Sequence, residues 1–239
     1  PNFKETPVNK PTLTFIGGGN MANSLIGGLI TKGYPADAIT VTDPLEANRQ
    51  QLASTFGVRT STDNTAAAAK AEVILLAVKP QVMQTVTKTI AGALDHRPLI
   101  ISIAAGISMV SLEQWLRADL PIVRCMPNTP SLVGEGAAAV AGGKAATDDD
   151  LGWASGILSA VGEVVLVDED LLDAVTGLSG SGPAYVFLLA EALIDAGEAE
   201  GLPREVAVAL TEQTLLGAAT LLSRSDDPAA TLRENVTSA

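Results

Sequence analysis

Three consecutive glycines, Gly17, Gly18 and Gly19, follow the apolar run Leu13-Thr-Phe-Ile16, and a helical pattern opens behind them at Asn20, Met21 and Ala22. An extended run feeding a glycine turn and then a helix start is the arrangement that holds a dinucleotide pyrophosphate. Gly17 permits the tight turn, Gly19 lets the backbone approach the phosphates, and the small Ala22 lets helix pack on strand. Free N–H groups and the helix dipole favour negative charge at that point. Asp43 ends the second β-rich run, at the spacing where a carboxylate accepts hydrogen bonds from an adenosine ribose. In that role it favours NADH over NADPH, because a 2′-phosphate would face a like charge. Its other reading is a turn aspartate before Pro44. Arg49, nearby, is placed to meet a phosphate.

Further candidates follow apolar runs. Ala77-Val78-Lys79-Pro80 comes after Val73–Leu76, where a loop at the carboxyl end of a central strand faces the ligand crevice. Lys79 is a candidate for phosphate or nicotinamide ribose, or else a surface lysine at a turn. Ser102-Ile103-Ala104-Ala105-Gly106 ends the next run, where small residues leave room for a flat ring. Arg124-Cys-Met-Pro-Asn-Thr-Pro130 ends another; its prolines fix the backbone, and Asn128 offers both donor and acceptor. The segment Asp173-Ala-Val-Thr-Gly-Leu-Ser-Gly-Ser-Gly-Pro-Ala-Tyr185 alternates glycine with serine ahead of a long helix. Such a stretch lets backbone N–H groups approach a substrate, with Thr176, Ser179 and Ser181 as hydroxyl donors; a plain linker with a helix N-cap is the alternative. His96, in Asp-His-Arg-Pro, reads as an exposed loop residue rather than an acid–base catalyst. Cys125 reads as a buried strand-end residue. With one cysteine and one histidine, a metal site made of such ligands is not expected.

The elements that must position these groups alternate. Thr12–Ile16, Ile39–Thr42, Val73–Val78, Leu99–Ile103 and Ile122–Arg124 read as strands; Asn20–Lys32 and Glu46–Thr55 read as helices. This alternation predicts a parallel sheet with right-handed crossovers. Beyond Leu166 the strand signals vanish and helices follow: Pro183–Ala199, Pro203–Leu222, and a third from near Asp226-Asp-Pro228. The expected fold is therefore α/β, with an N-terminal Rossmann-type parallel sheet over residues 1–166 and a C-terminal all-helical domain over 167–239. Val206–Leu222 is apolar nearly all round and must be buried. Too few C-terminal helices exist to cover it, so a second subunit is expected to do so.

The chain is long enough to bury a large core, and 47% of its residues are hydrophobic. Its net charge of −12 argues against a broad nucleic-acid footprint. No apolar run approaches a membrane span, since the longest are broken by Glu191 or Asp195. A single cysteine suits a reducing compartment, so a cytoplasmic location is expected.

Together these segments resemble pyrroline-5-carboxylate reductase, the last enzyme of proline biosynthesis. The resemblance is carried by Phe15-Ile-Gly-Gly-Gly-Asn-Met-Ala22, Ala77–Pro80, Ala104-Ala-Gly106, Arg124–Pro130 and Asp173–Tyr185, with Leu215-Leu-Gly-Ala-Ala219 and Asn235-Val-Thr-Ser238, in family order. It implies a C-terminal domain that dimerises by intertwining helices, and dimers that often assemble further, frequently as a ring of five, a decamer. It implies NADPH or NADH as cofactor, contacted by Ile16, Gly17, Gly18, Gly19, Asn20, Met21, Asn64, the Ala77–Pro80 loop, Ile103, Ala104, Ala105 and Asn235. It implies a cyclic imino acid as substrate, held by Ser179, Gly180, Gly182 and Pro183, with Asp226 as an acidic substrate-site residue and Ser238 at the start of a carboxylate-holding loop. The family continues with Pro-Gly-Gly-Thr after Ser238 where this sequence has Ala239, which leads one to expect an incomplete substrate site.

The implied chemistry is hydride transfer to a C=N bond. A cyclic imine takes its proton readily and is then a strong electrophile, which suits a chain poor in acid–base residues. Thr176 or Ser181 is expected to bond or protonate the ring nitrogen. A β-hydroxyacid dehydrogenase would need a lysine at the start of the helix after the Gly/Ser segment, where Pro183-Ala-Tyr-Val-Phe has none. A methyltransferase reading leaves the helical C-terminal domain without a purpose, and a non-catalytic nucleotide-binding regulator is the remaining alternative.

Overall fold

The computed structural model describes residues 10–237, so Ser238 lies outside them. The chain forms two compact units that divide between Ser181 and Gly182.

The first unit is built on an eight-stranded sheet of order β3-β2-β1-β4-β5-β6-β7-β8. Its strands are β1 (Leu13–Ile16), β2 (Ile39–Thr42), β3 (Arg59–Ser61), β4 (Val73–Leu76), β5 (Leu99–Ser102), β6 (Ile122–Met126), β7 (Gly136–Gly142) and β8 (Gly162–Leu166). β3 through β6 are mutually parallel, with Ile16 level with both Thr42 and Leu76. The strand order reverses between β1 and β4, so the crevice outside their carboxyl ends is the topological switch point.

Alternation along the strands divides the core. Leu13, Phe15, Leu75, Ile101 and Val123 meet helices α1 (Asn20–Thr31), α2 (Glu46–Phe56) and α6 (Asp148–Leu158), whereas Ile74, Leu76, Ile100 and Ile122 meet α3 (Asn64–Ala68), α4 (Pro80–Ile90) and α5 (Met109–Trp115). Helices on both faces explain why the central strands read as continuous apolar runs. Thr147 closes a capping box with Asp150 at the start of α6, as the acidic run there suggests.

Three strands depart from expectation. β3 is short, with none of its residues buried. β7 is composed of glycine, alanine and one valine, which carry little strand propensity. β7 also runs antiparallel to β6, against the all-parallel expectation. The link between them is a short turn containing the 3-10 segment Thr129–Val133, too short for a crossover. β8 then pairs parallel with β7 at the sheet edge. Residues 167–181 also pack in this unit: α7 (Leu172–Val175) buries Leu172 against Ala139 and Ala141.

The second unit comprises α8 (Gly182–Ala199), α9 (Arg204–Arg224) and α10 (Ala229–Val236). α8 and α9 form a hairpin that closes where Gly197 meets Ala207, with Gly201 at φ +96° in the turn. Among the described residues of this unit only Ala207 and Thr211 are buried, so Phe187, Leu188, Leu210 and Leu216 stand exposed. The stretch Glu169–Ala199 and helix α9 are long and apolar enough, by length and composition alone, to cross a membrane. The expectation that no segment reaches that length is corrected accordingly.

Candidate active site

The glycine turn is held by its neighbours in the sheet. The Gly17 N–H donates to the Thr42 carbonyl at 2.8 Å, and the residue adopts φ +104°. A Cβ there would lie 2.5 Å from the Ala77 carbonyl oxygen, so only glycine fits between the ends of β2 and β4. A Cβ on Gly18 would meet Leu52 Cδ1 at 2.9 Å. Gly19 differs: it is the extended N-cap of α1, and nothing lies within 4 Å of where its Cβ would be. α1 has neither a side-chain cap nor an acidic residue in its first turn. Its leading N–H groups therefore have no side-chain acceptor of their own, and the space over Gly19 is open, a cradle that fits a pyrophosphate.

Asp43 has a structural task that its spacing does not suggest. It is 8% exposed, and both carboxylate oxygens are engaged by backbone. Oδ2 accepts from the Gly18 N–H and Oδ1 from the Leu45 N–H, each at 2.8 Å. The carboxylate thus braces the glycine turn against the start of α2, and the Arg49 guanidinium donates to the Asp43 carbonyl at 2.6 Å.

The structure brings the other sheet-derived candidates to the same edge. Ala77 donates to the Ile16 carbonyl and Ile103 to the Leu76 carbonyl, so both loops emerge beside the glycine turn. Lys79 is exposed at the N-cap of α4, with Pro80 in the first turn, and Ala105 is exposed beyond the buried Ala104. Asn64 opens α3 just beyond β3, half-buried; without β3 in the reading, nothing in the spacing singles it out. His96 is exposed and its ring nitrogen bonds the Ala71 carbonyl at 2.8 Å, away from these loops. Cys125 is buried in β6, and desolvation pushes its thiol well above the usual range. Among the described residues no group of histidine, cysteine and carboxylate side chains is placed to hold a metal ion.

The Gly/Ser segment is not an extended backbone cradle. Thr176–Gly180 forms a π-helical turn continuing α7, and the Ser181 N–H is spent on the Thr176 carbonyl at 2.8 Å. Its backbone donors are thus used internally, and the side chains become the available groups. Thr176 Oγ1 donates to the Leu172 carbonyl at 2.8 Å and Ser179 Oγ to the Val175 carbonyl at 3.2 Å, which leaves their oxygens as acceptors. Asn128, 8% exposed, anchors this turn: Nδ2 donates to the Ser179 carbonyl at 3.0 Å and Oδ1 accepts from the Ala137 N–H at 2.9 Å. Its amide is a strut between β7 and the turn. Gly180 sits against Met126, whose methyl would lie 2.6 Å from an added Cβ. π turns recur at functional sites because the extra residue re-aims side chains.

Gly182 and Pro183 open α8, Asp226 is exposed between α9 and α10, and Asn235 is exposed in the last turn of α10. These residues belong to the second unit.

Comparison with known proteins covers both units. A family model described as pyrroline-5-carboxylate reductase dimerisation matches residues 169–239, and one described as NADP oxidoreductase, coenzyme F420-dependent, matches residues 12–106. The pyrroline-5-carboxylate reductase of Pseudomonas aeruginosa is 47% identical over 97% of this chain and 85% of its own length; that of Synechocystis is 48% identical over 95% and 84%. The solved structure of a Coxiella burnetii pyrroline-5-carboxylate reductase superposes with a TM-score of 0.91 at 41% identity, covering 97% of this chain and 86% of that one. The Plasmodium falciparum pyrroline carboxylate reductase with NADP bound gives 0.86 at 31% identity over 96% and 85%. The uncapped glycine turn, the small-residue loops beside it and the dimerisation helices are one family's parts: this chain belongs to the pyrroline-5-carboxylate reductases.

Proposed function

We propose that the protein reduces Δ1-pyrroline-5-carboxylate to L-proline with NADPH or NADH, the last step of proline biosynthesis. The observation that carries this is near-complete coverage of the chain by relatives of that activity, joined to a glycine turn whose open cradle fits the cofactor. When bound, the reduced nicotinamide supplies a hydride to the C=N carbon, and the ring nitrogen takes a proton. The residues of this chain bind and orient. Gly17, Gly18 and Gly19 with the first turn of α1 hold the pyrophosphate, helped by Asn20, Met21 and Lys79, while Asn64 and the Ile103–Ala105 loop line the flat parts of the cofactor. Asp43 and Asn128 act behind them as braces. Alignment of donor and acceptor, with exclusion of water, supplies most of the acceleration such a reaction needs from the protein.

On this reading the π turn faces the substrate. The Thr176 oxygen, its proton committed to the Leu172 carbonyl, accepts from a protonated ring nitrogen. Ser181, at the end of the same turn, supplies a second hydroxyl. Ser179 and Gly180 lie in the same turn, and Gly182, Pro183, Asp226 and Asn235, which belong to the second unit, complete the set of proposed contacts. The exposed leucines and Phe187 of α8 and α9 are the surface through which copies associate. Further assembly to a decamer, a cytoplasmic location and the absence of a membrane partner complete the proposal; the single cysteine supports the reducing, cytoplasmic compartment.

The test is oxidation of NADPH and NADH with and without pyrroline-5-carboxylate. Imine-dependent oxidation is expected; oxidation indifferent to the imine refutes the function. Thr176→Ala and Ser181→Ala are each expected to lower kcat at least tenfold, and normal turnover in both would remove the π-turn hydroxyls from the chemistry.

A further inference from the structure

We infer that Glu169 is a positioning residue that fixes the nicotinamide-side loop relative to the π turn. The inference rests on the reductase reading above. Glu169 opens a 3-10 turn, Glu169–Leu171, that runs directly into α7 and the π turn. Its Oε1 accepts from two sources: Arg124 NH1 at 2.7 Å and the Met109 N–H at 2.6 Å.

Each partner belongs to a different part of the site. Arg124 lies in β6, its side chain only 10% exposed, three residues' worth of strand and turn ahead of Asn128, which grips Ser179 in the π turn. Met109 is the first residue of α5, at the end of the loop that starts with Ile103 and Ala104. Its N–H is one of the helix's orphan donors, which a carboxylate from elsewhere in the chain satisfies. One oxygen therefore joins the loop after β5, strand β6 and the approach to the π turn. Leu172, three residues on, is fully packed against β7, so a shift of Glu169 cannot be absorbed there.

Removing the carboxylate frees the α5 start and strands a buried guanidinium. The loop and the turn then lose their common anchor, and the distance between hydride donor and acceptor is no longer held. A displacement near 1 Å is enough to cost about 10²-fold in rate.

The experiment compares full-length wild type with Glu169→Gln, and with the double variant Arg124→Met/Glu169→Leu, which removes both charges and guards against a variant that fails only because an unpaired guanidinium unfolds it. Measured are kcat, KM for pyrroline-5-carboxylate, NADPH affinity by fluorescence, thermal midpoint, and the primary deuterium isotope effect with 4-deuterated NADPH. The expected result in both variants is a kcat at least tenfold lower, a larger isotope effect on kcat because hydride transfer has become slower, and an NADPH affinity within threefold of wild type. A merely structural role would lower the thermal midpoint and leave kcat per folded molecule and the isotope effect unchanged; that result overturns the inference. Absence of imine-dependent turnover in wild type overturns the reductase reading and this inference together, whereas wild-type turnover with kinetically normal variants overturns the inference alone.

Discussion

Replacing Asp43 separates two roles that its sequence position leaves joined. If the carboxylate met a ribose, Asp43→Ala would weaken NADH and relieve repulsion on NADPH. The geometry predicts otherwise, because both oxygens are held by backbone N–H groups at 2.8 Å. Hydrogen bonds to a charged acceptor contribute about 1.5–3 kcal/mol each. Leu45 is 62% exposed, so water replaces its lost acceptor at little net cost. Gly18 is buried, and its N–H would be left without a partner in the turn that must hold the pyrophosphate. Restoring that turn on binding then costs about 1.4 kcal/mol or more, which is roughly tenfold in affinity. The loss falls on a part common to both cofactors. Asp43→Ala is therefore expected to weaken NADPH and NADH alike by about tenfold, with their ratio changed less than about threefold. Asp43→Asn, which keeps one acceptor oxygen, should fall between. Dissociation constants for the two cofactors, read by fluorescence titration on wild type and both variants, decide the matter. A selective gain for NADPH in Asp43→Ala, with NADH weakened, would refute the brace and restore the ribose contact.

Two further outcomes test the packing. Gly28→Ala places a methyl 2.5 Å from Val161 Cγ1 and 2.7 Å from the Ala160 carbonyl, so overpacking of about 1–3 kcal/mol should outweigh the gain in helix propensity of about 1 kcal/mol. Its thermal midpoint is expected to drop by several degrees, whereas Gly152→Ala in α6, with nothing within 4 Å of the new Cβ, should hold or rise; equal shifts would contradict the packing. Cys125 is expected to resist thiol reagents in the native protein at neutral pH, since burial raises its thiol and keeps it protonated, and to react fully once the chain is denatured. Rapid labelling of native protein would show that β6 opens readily.

What the sequence made readable, and what it hid, follows from how each signal arises. Leu13–Ile16, Val73–Leu76 and Leu99–Ser102 are buried on both faces, so their side chains alone declare them strands. The glycine turn is equally plain, because a carbonyl 2.5 Å from a Cβ on Gly17 tolerates no other residue. β7 had no such voice: Gly-Ala-Ala-Ala-Val-Ala-Gly is a strand because β6 and β8 flank it, a tertiary decision that propensity cannot anticipate. Missing β3 in turn concealed Asn64, which opens α3 just beyond the end of that strand. The candidate site shows the same division. Residue types single out Asp43, Asn128, Thr176 and Ser179 as candidates, but not which way their hydrogen bonds run. Spacing places a carboxylate beside a ribose or beside a glycine turn with equal ease; only the positions of the Gly18 and Leu45 N–H groups distinguish them. Likewise Ser-Gly-Ser-Gly suggests an open loop until the Thr176 carbonyl captures the Ser181 N–H and closes a π turn. That closure converts the segment from a set of backbone donors into a set of hydroxyl acceptors, which is the form suited to a substrate nitrogen that arrives already protonated.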